Sequence, residues 1–290
     1  MTSLKICGNL ADRLFSRGFG VREKKCLKLS WEEALYLCEK GILRCEFEEI
    51  LDEASSHLAD FDIRYLVYRD LKNRGYVLRV KEDHFQGKKS YSMSFYPLSD
   101  MDYFDPDEIL NKNPPLILSI VDGDGDITYY MVEIHEPRGE YFNFPTSLNA
   151  KYYGRRYFVF EELEQLERST YGRREGRFGH LSLLEARYLG ERGLIHPVES
   201  SGEEIYKVYR DLRERGLIVK SGFKYGTHFR VYERSMEEHS RYLVHVIFGK
   251  EELQKVSRAV RVAHGVRKEL LLAYIKEKEI KYFRVSWIRP

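Results

Sequence analysis

The strongest constraint on this chain is that it repeats itself, so one set of elements must be satisfied twice. Residues 29–43 read LSWEEALYLCEKGIL and residues 181–195 read LSLLEARYLGERGLI. The offset of 152 places Ala34 on Ala186 and Gly41 on Gly193, and upstream it places Gly20 on Gly172. VYRDLKNRGYVL (67–78) returns as VYRDLRERGLIV (208–219) at an offset of 141. LILSIVDGDGDITYYMVEIHEP (116–137) lies over ELLLAYIKEKEIKYFRVSWIRP (269–290) at an offset of 153. Each of these two ends is an apolar stretch, a charged turn, an alternating strand and a Pro. The 290 residues therefore read as one unit of domain size written twice, 1–145 and 146–290, with a linker near 138–155.

Both copies predict the same elements. Ser30–Gly41 has a Ser N-cap, Glu in the first turn, apolar residues at i, i+3, i+4 and a Gly stop, which is a helix. Ile63–Gly75 is a second helix, and Ile205–Gly216 is its twin. Strand-like runs follow at Tyr76–Val80 and Leu217–Lys220. His228–Glu233, Tyr242–Phe248 and Ile280–Trp287 alternate as strands, while Glu251–Ala263 and Val266–Ile275 carry both helix and strand signals. The expected fold class is α+β, two tandem repeats with a helical/β front module and a mixed-sheet back module each. In the second repeat these modules are 146–220 and 221–290.

The whole chain carries 48 Lys+Arg against 46 Asp+Glu, a net +2 that argues against a polyanion partner. Halving the chain reverses that inference. Residues 1–145 hold 19 basic and 26 acidic residues, or −7; residues 146–290 hold 29 and 20, or +9. Such asymmetry points to a nucleic-acid-facing half, or to halves that attract each other. With 43% hydrophobic and 32% charged residues the chain is globular. No apolar run approaches the ~18–20 residues of a membrane span, and MTSLKICGNL lacks a signal-peptide core, so a cytoplasmic location is expected. The cysteines Cys7, Cys26, Cys38 and Cys45 include no C-x-x-C pair. That disfavours a zinc site and a disulfide framework, and four reduced thiols are expected.

Chemistry concentrates in the second copy, in KYGTHFRVYERSMEEHSRYLVHVIF (224–248) and RAVRVAHGVRKELLLAYI (258–275). Here the sequence resembles the archaeal tRNA-splicing endonucleases, in particular the type whose subunit is a fused tandem repeat that forms a homodimer. The resemblance rests on FKYGTHFRVYER (223–234), HSRYLVHV (239–246), RVAHGVRKELLLA (261–273) and the terminal YFRVSWIRP. LSLLEARYLGERGLI is similar to that family's N-terminal helical module. The likeness covers 155–290 and, more weakly, the first half as a degenerate copy.

The resemblance implies cleavage of precursor tRNA at bulge-helix-bulge exon–intron junctions, without metal or cofactor, leaving 2′,3′-cyclic phosphate and 5′-hydroxyl ends. Precursor rRNA is a second candidate substrate. By motif position the catalytic residues are Tyr232, His239 and Lys268. These types suit the reaction: attack by a ribose 2′-hydroxyl needs a base, an acid at the leaving 5′-oxygen and a cation at the phosphorane. Histidine titrates near neutrality and suits the acid role. Tyrosine, with an ordinary pKa of about 10, needs neighbouring cations to act as a base; orienting the nucleophile is its fallback. Arg261 and Arg284 stand where the family has arginines that sandwich a flipped bulge base. At offset 153 the partner of Lys268 is Pro115, and SYSMSFYPLSD stands where HSRYLVHV would be, so the first copy reads as a non-catalytic pseudo-subunit.

The turn Asp122-Gly123-Asp124-Gly125-Asp126 is the sharpest feature of the first copy. A calcium loop would need Gly at its sixth position and a following helix, but Ile127 stands there and ITYYMVEI has strand composition. A tight hairpin is the plain reading. The resemblance implies a third, an acidic loop that docks into a basic pocket of a neighbouring catalytic unit and holds a homodimer with two active sites. Two rivals remain. One is a non-catalytic structured-RNA-binding protein or structural subunit. The other is a metal-dependent DNA nuclease, for which Glu233, Glu237, Glu238 and Glu269 are the available carboxylates.

Overall fold

The computed structural model describes residues 4–87, 93–196 and 202–290. Contacts divide the chain into two units: residues 1–133 with 250–257 and 286–290, and residues 134–249 with 258–285. Among the described residues, no helix is long and apolar enough to cross a membrane.

The first unit opens with β1 (Leu4–Cys7), α1 (Asn9–Ser16), β2 (Val21–Glu23) and β3 (Cys26–Leu29). The strands form an antiparallel sheet in the order β1-β3-β2. Three helices follow: α2 (Trp31–Glu39), α3 (Phe47–His57) and α4 (Phe61–Asn73). The back module then runs β4 (Leu78–Val80), β5 (Phe85–Gly87), β6 (Ser94–Ser99), β7 (Tyr103–Phe104), α5 (Pro106–Asn111), β8 (Leu116–Val121) and β9 (Ile127–His135). Its sheet is ordered β9-β8-β6-β5-β4, and only β6 and β8 pair in parallel. Val67, Tyr68 and Leu71 of α4 pack on Phe85, Phe95 and Ile117 to make its core.

The second unit follows a similar order, with an extra strand before its first helix and, among the described residues, two helices where the first unit has α2, α3 and α4. It has β10 (Ala150–Tyr152), β11 (Tyr157–Val159), α6 (Leu163–Arg168), β12 (Arg173–Glu175) and β13 (Phe178–Leu181), with sheet order β10-β11-β13-β12. Next come α7 (Leu183–Glu191), α8 (Glu203–Glu214), β14 (Ile218–Ser221), β15 (Phe229–Tyr232) and β16 (Tyr242–Ile247). β17 (Glu251–Glu252) belongs to the first unit, where it pairs with β7; the chain then forms α9 (Leu253–Gly265), β18 (Glu269–Lys276) and β19 (Glu279–Ile288). The sheet order β14-β15-β16-β18-β19 again holds one parallel pair, β16 with β18. A parallel pair needs a crossover, which α5 supplies in one unit and α9 in the other.

Both front helices begin on the same device. Ser30 Oγ accepts from Glu33 N (3.3 Å) while Glu33 Oε2 accepts from Ser30 N (3.0 Å). Ser182 and Glu185 reproduce this capping box at 3.3 and 2.9 Å. The second carboxylate oxygen of each Glu accepts from Gly20 N (2.8 Å) or Gly172 N (2.9 Å), tying the preceding loop to the helix.

The helices expected at Ser30–Gly41, Ile63–Gly75 and Ile205–Gly216 are α2, α4 and α8, each starting within two residues of the expected position or at its cap. The ambiguous 250s are a helix because Leu253, Val256, Val260 and Ala263 are buried at helical spacing. The turn at Gly265–Lys268 ends it, and β18 follows. One expectation is corrected. The thiols are not reduced: Cys7 is bonded to Cys26 and Cys38 to Cys45. Cys7 and Cys26 face each other in the β1–β3 register, a proximity that no C-x-x-C spacing reveals. The segment expected as the linker, 138–155, contains β10 and a stretch pinned to the site described next. The first unit also has a strand, β6, where the HSRYLVHV motif is missing; residues 90–92 of SYSMSFYPLSD lie outside the described residues.

Candidate active site

Sheet topology brings the three expected catalytic residues to one edge. Val231 faces Tyr242 in the antiparallel β15–β16 pair, and Tyr242 faces Glu269 in the parallel β16–β18 pair. The end of β15 and the starts of β16 and β18 therefore coincide. Tyr232 is the last residue of β15, His239 lies in the connection entering β16, and Lys268 immediately precedes β18. Tyr232 is 7% exposed, and the Arg230 guanidinium lies 5.9 Å from its ring centroid. His239 is exposed. Lys268 Nζ donates to the Ser240 carbonyl at 2.7 Å, which holds the lysine against the residue after His239. That bond uses one of three ammonium donors.

A charged network braces this edge. Arg241 donates to both oxygens of Glu233 (3.0 Å each) and to Glu269 (3.0 Å). Glu269 also binds Arg284 at 3.2 Å, and the Tyr242 hydroxyl donates to Glu233 at 3.0 Å. The hydrogen bond to Glu233 is the largest influence holding the Arg241 guanidinium above its ordinary value. Burial first, then Glu233, pushes the Tyr242 hydroxyl up. Glu233 and Glu269, two carboxylates a metal nuclease would need, are thus already matched by arginine.

The 138–155 segment is pinned to the residue after β15 and to the end of α8. Glu140 N donates to the Glu233 carbonyl (2.9 Å), Gly139 N to Arg215 (2.9 Å) and Tyr141 N to Gly216 (2.8 Å). A Cβ at Gly139 would sit 2.2 Å from the Gly216 oxygen, so this approach requires glycine.

The two arginines differ. Arg261 is exposed on α9. Arg284 faces Leu271 in the β18–β19 register, and Leu271 shares a core cluster with Val231. Tyr232, one residue on from Val231, points to the other face of the sheet. Arg284 therefore stands across the sheet from Tyr232 and in an ion pair with Glu269. In the first unit, Asp122, Asp124 and Asp126 are exposed on the β8–β9 hairpin. Asp122 Oδ1 accepts from Asp124 N (3.1 Å) and Asp126 N (3.0 Å), so one carboxylate shapes the turn.

Sequence reasoning missed Tyr225. It sits on a short 3-10 turn, Phe223–Tyr225, before β15. A hydrogen bond with Lys224, followed by the charges of Lys224, Lys268 and Arg230, lowers its hydroxyl from the ordinary tyrosine value. Its only trace in the sequence was its place inside FKYGTHFRVYER. Arg241 was missed as well: its partners Glu233 and Glu269 lie 8 and 28 residues away and meet it only through the strand registers.

The descriptions of the matching families agree with this layout. Residues 203–282 match the model described as tRNA intron endonuclease, catalytic C-terminal domain, and residues 7–53 match the tRNA intron endonuclease, N-terminal domain. The chain is thus of the intron-endonuclease class. It is 31% identical to the tRNA-splicing endonuclease of Methanosarcina acetivorans, over 93% of this chain and 93% of the relative. It is 34% identical to that of Thermoplasma volcanium, over 92% and 88%, and 45% identical to that of Thermococcus kodakarensis over 38% of this chain and 77% of the relative. The chain belongs to the tRNA-splicing endonuclease family, with archaeal relatives.

Proposed function

We propose that this chain excises introns from precursor tRNA at bulge-helix-bulge junctions, using Tyr232, His239 and Lys268 of its second unit. The observation that supports this reading is that Tyr232 ends β15, His239 lies in the connection to β16 and Lys268 precedes β18, three positions at one end of the sheet. Tyr232 orients the ribose 2′-hydroxyl, and where it acts as the base it does so as a phenolate beside the Arg230 guanidinium, becoming the phenol as it takes that proton. The 2′-oxygen attacks phosphorus, the bond to the 5′-oxygen breaks, and His239 protonates that oxygen. A 2′,3′-cyclic phosphate and a 5′-hydroxyl result. Lys268, with two remaining donors, neutralises the phosphorane. No metal ion takes part in this scheme. Arg261 stacks on an unpaired bulge base; Arg284 joins it only by leaving Glu269.

The chain reads as one ancestral unit written twice, the first copy having lost its chemistry: Pro115 precedes β8 where Lys268 precedes β18. Two chains then form a homodimer with two catalytic edges at a fixed separation, which suits a substrate with two bulges. Precursor rRNA bearing the same junction would be cut as well.

The test is incubation of a bulge-helix-bulge RNA with the protein in EDTA, with analysis of the product ends. Cleavage to a cyclic phosphate is expected, and His239→Ala should abolish it while RNA binding persists. Binding without cleavage by the unaltered protein would favour the structural-subunit reading, and loss of cleavage in EDTA would favour a metal nuclease.

A further inference from the structure

The small sheet of the second unit carries a surface unlike its counterpart in the first. Lys151 faces Phe158, Phe158 faces His180, and His180 faces Arg173, so these four form one row across four strands. Register-opposed residues share a face. Aromatic rings extend the row. Phe158 lies 5.5 Å from Tyr153 and Phe178, 6.2 Å from His180 and 6.4 Å from Phe160, between centroids. Tyr153 is 59% exposed and Phe160 51%. Such rings are usually buried, and a cluster of them in solvent marks a binding surface.

Its charge says what kind. The same strands and turns present Lys151, Arg155, Arg156, Arg173, Arg174 and Arg177, all exposed. The face opens into a groove of about 510 Å³ lined by Arg156, Arg173, His180, His228 and Arg230, with Lys220 and Glu185 paired at 2.7 Å in its wall. Two buried polar atoms in this groove, His180 Nδ1 and Arg230 Nε, have no hydrogen-bond partner. Burial and then the Arg156 charge hold the His180 imidazole below its ordinary value. Arg230 also lies against the ring of Tyr232, so the groove leads along β15 to the proposed catalytic edge. In the first unit, Lys5 and Lys28 face each other where Phe158 and His180 do, and the bonded Cys7–Cys26 pair stands where Phe160 and Phe178 would.

We propose that this face binds unpaired RNA, with bases stacked on Tyr153, Phe158 and Phe160 and phosphates held by Arg156 and Arg173 along the groove. Alternating rings and cations are the arrangement single-stranded nucleic acid requires. The proposal rests on an RNA substrate but not on the cleavage chemistry. It assigns to the front module of the catalytic unit the capture of a single-stranded stretch beside the cut site.

The experiment measures binding of a fluorescein-labelled oligouridylate to the full-length protein by anisotropy across a salt series. Tyr153→Leu/Phe160→Leu keeps the apolar area and removes the stacking; it should weaken binding about tenfold. Arg156→Ser should weaken binding and flatten the salt dependence by about 0.7 in slope. Unchanged affinity in both variants, with melting temperatures like the parent, overturns the proposal. So does a change confined to sedimentation behaviour, which would make the face a contact between protein copies. Failure of the unaltered protein to cleave precursor RNA would sink the proposed function and leave this binding result standing.

Discussion

Two glutamates show how one residue changes its meaning with its partner. Glu185 and Glu33 cap equivalent helices and accept equivalent backbone bonds, but only Glu185 has a cation, Lys220, at 2.7 Å. Burial pushes the Glu185 carboxyl up; the charge and hydrogen bond of Lys220, with bonds from Ser182, reverse this and bring it to about 2. Its stabilisation is therefore complete above its ordinary value of 4.5 and is lost as pH falls toward about 2. Burial raises Glu33, so its contribution is greatest below 4.5 and is lost as pH rises through the raised value. Lys220→Met leaves Glu185 in the position of Glu33. It should cost about 3–5 kcal/mol at pH 7, read by urea unfolding. The loss should shrink markedly at pH 3, where the variant's carboxyl is protonated; an equal loss at both values would show that Lys220 acts through packing instead.

At the scale of elements, the two units are built from similar runs of helices and strands but are secured differently. The small sheet of the first unit is cross-linked by Cys7–Cys26, which spans 19 residues, and that of the second is faced with aromatic rings. Closing a loop of that length restricts the unfolded chain, a stabilisation of about 3 kcal/mol. Cys7→Ser/Cys26→Ser should lower the melting temperature of the first unit, and added reductant should lower the parent in the same way without affecting the variant at that pair. A parent indifferent to reductant would mean that the bond contributes nothing. The braced edge of the second unit makes a separate point: β15, β16 and β18 end together because one parallel and one antiparallel register share Tyr242.

At the scale of the whole molecule, the near-neutral charge conceals two opposed halves, −7 and +9. The exposed Asp122, Asp124 and Asp126 are the most compact acidic feature of the first, and the proposed RNA surfaces lie in the second. If the hairpin docks on a second chain, replacing all three with Asn should weaken dimerisation and cleavage together, most strongly at low salt, where the attraction it removes is least screened. Asn keeps the side-chain oxygen with which Asp122 shapes the turn, so the hairpin itself should survive. A triple variant that sediments as a dimer and cuts at the parental rate in moderate salt would remove the docking role.

Much of this was readable in the chain because it depends on local patterns. Ser30 and Ser182 announce helix caps, Gly75 and Gly216 announce helix ends, and the alternation in ITYYMVEI announces β9; periodicity and turn chemistry act over a few residues. The proposal of Tyr232, His239 and Lys268 as catalytic residues also came from the chain, because it rests on the order of the motif blocks. What the sequence could not supply depends on contacts between distant residues. Cys7 meets Cys26 only through strand register, and Arg241 meets Glu233 and Glu269 only because three strands end together. Arg284 is set across the sheet from Tyr232 by a parity of one residue, and the aromatic row emerges only when four short strands align. By itself, then, the sequence determined the family to which the chain belongs and most of the local elements. The tertiary structure decided which of them face one another, because strand register is chosen by the packing of whole faces and not by any local signal.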